Sequence, residues 1–288
     1  MQVGDIVVRK SYDKDITFRI IDIKESDSGS IYVLKGINLR IIADSLGEDL
    51  ERVDKDTCSD YEQIFNRKVN TSIKKILLNR TAIDLRNLNR SVAVKEKKDL
   101  SFGRPGKILH VDGDAEYLDV CLKVYKQLNL DAVGKVIKES DQPKEIVEMV
   151  KLVKPDIVVI TGHDGVVKDI KDFMDLNNYR NSKYFIEAVT ELRNYEPGYD
   201  NLVIFAGACQ SHYEAILDAG ANFASSPSRV LIHCLDPVFI CESIAYTNIE
   251  KVVSIKDALQ NTISGAKGIG GLQTRGKYRE GFPKSQYT

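Results

Sequence analysis

Ile157-Val158-Val159-Ile160-Thr161-Gly162-His163-Asp164-Gly165 is the stretch on which the fold turns. Four consecutive apolar residues, all β-branched, read as a short strand buried on both faces, as inside a parallel sheet. The strand then runs out into glycines around a histidine. Leu202-Val203-Ile204-Phe205 repeats the pattern and runs out into Ala206-Gly207-Ala208-Cys209-Gln210-Ser211.

Working outward, Lys107 to Val111 reads as a strand, Ala115 to about Leu128 as a helix, and Asp131 to Ile137 as a strand. Helices follow near 143–153 and 182–193, and His212 to about Ala219 forms the helix after the Cys209 strand. Arg229 to Ile232 reads as a fifth strand, with a helix near 238–246. Such alternation predicts a mostly parallel sheet with helices on both faces. Before it, Val3–Val8, Thr17–Ile23 and Ile31–Gly36 are short β-rich runs between polar turns, which predicts a small bent β-barrel. Apolar residues at helical spacing from about 58 to 82 predict an amphipathic helix. The Arg-, Lys- and Asn-rich residues 83–106 read as a linker. The expected units are therefore a barrel-like module over 1–55, a helix and basic linker over 56–106, an α/β catalytic domain over 107–250, and a helix with a Gly-rich basic tail over 251–288.

Composition narrows the function. Lys and Arg number 41 against 42 Asp and Glu, a net charge of -1, which argues against a nucleic-acid binder. No apolar run approaches the length of a membrane span, and the start MQVGDIVVRK lacks the apolar core and cleavage site of a secretory signal. The five cysteines are odd in number and lack CxxC spacing, which suggests reduced thiols in a cytoplasm rather than disulfides or a metal site. No cofactor is expected.

The chemistry gathers at two strand ends. Ligands of open parallel sheets sit beyond the carboxyl ends of the strands. If the two strands are neighbours, His163 and Cys209 share one cleft, with Gly162 and Gly207 leaving room for a substrate backbone. Ser211 and Glu214 form an S-x-x-E capping signature, so Cys209 is expected beside a helix N-terminus that lowers its thiol pKa. An imidazole alongside would activate it as a nucleophile. His110-Val111-Asp112-Gly113-Asp114 ends on the same rim, where Asp112 and Asp114 either receive a basic substrate side chain or cap the next helix. Of the other candidates, His212 is expected to face solvent and His110 to be a satisfied core residue. His233 and Cys234 are expected to line the site or pack, and Cys58, Cys121 and Cys241 to pack.

The His-containing loop followed by a strand ending in Ala-Cys resembles the caspase, gingipain and legumain clan of cysteine peptidases, with a similar His-to-Cys spacing. More closely, HVDGDAEYLDVC, VVITGHDG, VIFAGACQS and GANFASSPSRVLIHCLDPVFI resemble the YabG family of sporulation-specific proteases. That resemblance implies a caspase-like fold and an enzyme processing spore-coat or cortex-related proteins in the mother cell, cutting near Arg or Lys. By clan analogy Cys209 is the nucleophile and His163 the general base and acid, acting through a thioester. The Cys209 amide would form half an oxyanion hole. The clan places Gly directly after the histidine; here Asp164 intervenes before Gly165, so either residue supplies the second amide. The specificity pocket would draw on Asp112 and Asp114. Two rivals remain: a receiver-like regulatory or coat-docking protein built on Asp112, and a glutaminase-type Cys-His hydrolase. A phosphate-binding use of Gly265 to Gly271 lacks a preceding strand, and that region reads as a flexible tail.

Overall fold

A computed structural model describes residues 1–26, 29–53, 60–88, 101–167, 172–285 and 287. Strands β1 (Ile6–Arg9), β2 (Thr17–Ser26), β3 (Gly29–Gly36), β4 (Ile42–Leu46) and β5 (Leu50–Arg52) form an antiparallel sheet in the order β4-β3-β2-β1-β5. Val7, Phe18, Ile20, Leu34 and Leu50 make its small core. Its ladder ends at β4 and β5, which do not pair with each other among the described residues. The described strands thus form a five-stranded antiparallel sheet with β4 and β5 as its edges, the coarser form of the expected barrel.

The helix α1 (Asp60–Leu88) follows, and Ile73 and Ile76 bury its inner stripe. Arg80 ties it down, donating to Leu128 O at 2.8 Å and pairing with Glu242 at 2.6 Å. Cys58 and residues 89–100 of the expected linker lie outside the described residues. Strand β6 (Phe102–Arg104) leads into the main sheet: β7 (Ile108–Asp112), β8 (Ala132–Val136), β9 (Ile157–Thr161), β10 (Val203–Ala206), β11 (Phe223–Ser225) and β12 (Ile269–Gly271). Strand β13 (Arg279–Gly281) returns to pair with β6.

The order is β12-β11-β10-β9-β7-β8, parallel except for β12. Helices α2 (Ala115–Gln127), α3 (Gln142–Val153), α4 (Ser182–Tyr195), α5 (Tyr213–Asp218) and α6 (Asp236–Tyr246) cover both faces, and α7 (Ile255–Gln260) and α8 (Gly265–Gly268) lead into β12. The strands alternate strictly. Ile157, Val159, Val203 and Phe205 pack with α1, α2 and α6, while Val158, Ile160, Ile204 and Ala206 pack with α3, α4 and α5. This two-sided burial is why the central strands read as unbroken apolar runs.

Two expectations need correction. The fifth parallel strand is Phe223–Ser225, not Arg229–Ile232; the latter segment is a connection that starts with Arg229 in the left-handed region and runs past Cys209. Gly265 to Gly271 is not a loose tail. Its last residues close the sheet as β12, where a Cβ added at Gly271 would fall 2.5 Å from the backbone Asn222 O and one at Gly270 would have to displace the Tyr213 hydroxyl, 2.4 Å away.

Candidate functional site

Strands β9 and β10 are hydrogen-bonded neighbours, with Ile160 opposite Ala206, so the His163 and Cys209 loops leave adjacent strands at the same end. Chain order reverses between β7 and β9, because β8 lies on the far side of β7. That switch point opens a crevice at the carboxyl ends. Asp112, Asp114 and His163 stand there. Both side chains turn to one face: the His163 ring lies 5.7 Å from the Tyr117 ring, and Cys209 packs in the apolar cluster that contains Tyr117.

His163 is held from two sides. Its amide donates to Glu139 Oε1 at 2.7 Å, and its Nε2 bonds to Asp114 Oδ2 at 2.9 Å. Nδ1 is buried and has no partner among the described residues. Gly162 is required by Glu139 rather than by open space, since a Cβ there would sit 2.3 Å from the Glu139 carboxylate. Asp114 caps α2 through Oδ1, which accepts from the Glu116 and Tyr117 amides, and it pairs with Lys35 at 2.7 Å. Burial alone would raise the Asp114 carboxyl, but the His163 and Lys35 bonds outweigh it and hold it well below the usual carboxylate range. Helix cap and imidazole partner are thus one carboxylate.

Cys209 sits between two left-handed backbone positions, Gly207 (φ 110°) and Gln210 (φ 57°). The residue is 1% exposed, and its Sγ accepts from the Ile232 amide at 3.2 Å. The expected lowering of this thiol's pKa is overturned. Burial pushes it up to about 12, although the Ile232 and Arg40 groups pull the other way. The capping box is also not formed. Ser211 Oγ accepts from the Ala208 amide and donates to Asp164, while α5 is capped by His212, whose Nδ1 accepts from the Ala215 amide. Far from facing solvent, His212 is buried against Tyr179, with Nε2 3.1 Å from Met174 O.

Asp164 is the knot between the two loops. Its carboxylate accepts from Gly165 N, Asn181 N and the hydroxyls of Ser182 and Ser211; burial raises its pKa against these bonds. The Gly165 amide is therefore already used, at 2.8 Å from Asp164 Oδ1. His110 is a satisfied core residue, bonded to Thr161 Oγ1 at 2.8 Å and 3.2 Å from the Tyr125 hydroxyl. Cys121, Cys234 and Cys241 are buried and free. His233 is buried, and desolvation lowers its pKa to about 3.

Asp112 holds no open pocket. Its carboxylate, fully buried, lies 2.7 Å from Arg40 Nη1 and accepts from Thr161 Oγ1 at 2.9 Å. Burial would raise it, but the Arg40 charge and the His110 contact draw it far below the usual range. Sequence reading missed Arg40. The available signal was a lone cation among the apolar residues Leu39, Ile41 and Ile42. Glu139 was missed too, and nothing local marks it.

Fold and site together define an open α/β protein that presents a histidine and a cysteine at neighbouring strand ends, with two acids at the switch point. Residues 2–283 match the family model described as YabG peptidase U57. The chain is 42% identical over 288 residues to the sporulation-specific protease YabG of Bacillus subtilis (strain 168), covering 98% of each chain. This chain belongs to the YabG peptidase family, and it is accordingly a peptidase acting on protein substrates. Among the described residues no helix is long and apolar enough to cross a membrane.

Proposed function

We propose that this protein is a cysteine endopeptidase of sporulation with a caspase-like catalytic sheet, using Cys209 as nucleophile and His163 as general base and acid. Carrying the reading is the placement of both side chains on one face at the ends of hydrogen-bonded neighbouring strands. With Nε2 committed to Asp114, the unpartnered Nδ1 of His163 is the atom left to take the thiol proton. Asp114 acts as a positioning residue that fixes tautomer and ring orientation.

The thiolate adds to the substrate carbonyl, His163 protonates the leaving amine, and water then hydrolyses the thioester. With Gly165 N engaged, the Cys209 and Asp164 amides are the pair assigned to the oxyanion. Asp112 supplies the Arg or Lys preference, Gly162 and Gly207 border the substrate path, and residues 107–250 are read as the catalytic unit. The substrates assigned are spore-coat or cortex-related proteins in the mother-cell cytoplasm, in keeping with the sporulation-specific protease YabG it resembles.

Incubation of wild type and Cys209→Ala with a library of basic peptides tests this. Cleavage after Arg or Lys by wild type and none by a folded Cys209→Ala supports it. Undiminished cleavage by the variant removes it.

A further inference from the structure

The carboxylate assigned to a substrate's basic side chain already holds one, and it belongs to this chain. Arg40 lies in the connection between β3 and β4. Its side chain is fully buried at the switch point, with Nη1 2.7 Å from Asp112 Oδ2. Its neighbours are tied by an isolated bridge to the connection that follows β11. Leu39 bridges antiparallel to His233, and the Cys234 amide donates to Asn38 O at 3.0 Å. The Tyr117 hydroxyl donates to Leu39 O at 2.8 Å and also to Gly36 O. The segment thus reaches both halves of the site: Tyr117 packs on the His163 ring, and the Ile232 amide beside the bridge is bonded to Cys209 Sγ.

Two details distinguish this contact from a permanent staple. The guanidinium is incompletely satisfied: its Nε has no partner among the described residues, and Nη2 reaches only Cys234 O at 3.5 Å and Cys121 Sγ at 3.9 Å. A fixed buried arginine needs its donors matched to offset desolvation. The backbone is also turned rather than extended, because the Ile41 amide bonds back to Leu39 O at 2.8 Å. An arginyl segment therefore fills the site without laying the Arg40–Ile41 bond out as an extended substrate.

We propose that Asn38-Leu39-Arg40 is an internal ligand of the cleft, seating an arginine in the subsite floored by Asp112, and that a substrate's basic side chain enters by displacing it. This rests on Cys209 and His163 being the reacting pair. The segment covers the thiol, and the enzyme's competent fraction is the fraction in which it has lifted.

The full-length protein tests this with two probes: iodoacetamide, with Cys209 alkylation followed by peptide mass spectrometry, and an acyl-arginyl aminocoumarin amide. Arg40→Gln should speed Cys209 alkylation about tenfold and lower KM for the arginyl amide by a similar factor. A variant that folds as wild type does, yet alkylates at the wild-type rate, overturns the proposal. If Arg40→Gln does not fold, wild type is treated with agmatine, a small guanidinium competitor. Faster Cys209 alkylation and faster hydrogen exchange at residues 38–41 support the proposal, and no change in either overturns it. Alkylation reads the cover independently of catalysis. If Cys209→Ala still cleaves while Arg40→Gln unmasks the thiol, the dyad fails and takes substrate displacement with it, while the cover over Cys209 is retained.

Discussion

Asp112 and Asp114 stand two residues apart at the end of one strand, and the antiparallel sheet sends each a cation, yet the two contacts differ in kind. Arg40 and Asp112 are both completely buried. Lys35 and Asp114 keep about a tenth of their side chains in water, and Lys35 is shared with Glu116, 59% exposed. The dry pair stands or falls as a unit, because removing one partner strands a charge in a low-dielectric site. The wetter cluster is adjustable and shares its carboxylate among a helix cap, a lysine and His163. One strand end thus carries a dry ion pair and a hydrogen-bonded imidazole side by side.

This contrast can be broken by substitution. Loss of the His163 imidazole in His163→Ala should cost at least about a thousandfold in kcat/KM, measured on the arginyl amide. Asp114→Asn should keep the fold while lowering kcat by about a hundredfold or more, since the amide favours the wrong tautomer. Asp112→Ala should lower the denaturation free energy by about 3–5 kcal/mol, read from urea midpoints, because Arg40 is left buried and unpaired. The exposed Glu116→Gln should change stability by no more than about 0.5 kcal/mol, measured the same way.

Acid sharpens the comparison. Both carboxylates titrate below their ordinary range in the fold, so the unfolded chain binds their protons more readily. The stability they contribute is present above about pH 4 and is lost as pH falls through the depressed values. Urea midpoints below about pH 4 should therefore drop, and the drop should be shallower in Asp114→Asn.

Much of the parallel sheet was legible because its strands are buried on both faces and leave unbroken apolar runs, as at Ile157–Ile160 and Leu202–Phe205. Their adjacency, on which the shared face of His163 and Cys209 depends, was a condition that only the sheet order meets. Phe223–Ser225 was not legible, since three residues carry no period, whereas Arg229–Ile232 has a strand's composition and spends it on the Cys209 rim. The Ser211 motif failed because Asp164, distant in sequence, claims that hydroxyl. Arg40 was hidden for the same reason. Its partner lies in another sheet, and only tertiary structure brings the two together.

The most direct measurement is covalent trapping by an arginyl chloromethyl ketone, with the adduct located by peptide mass spectrometry. The account predicts one adduct, on Cys209 Sγ, formed far more slowly in His163→Ala. Inactivation with the adduct on Cys121, Cys234 or another residue, and Cys209 unmodified, would contradict it.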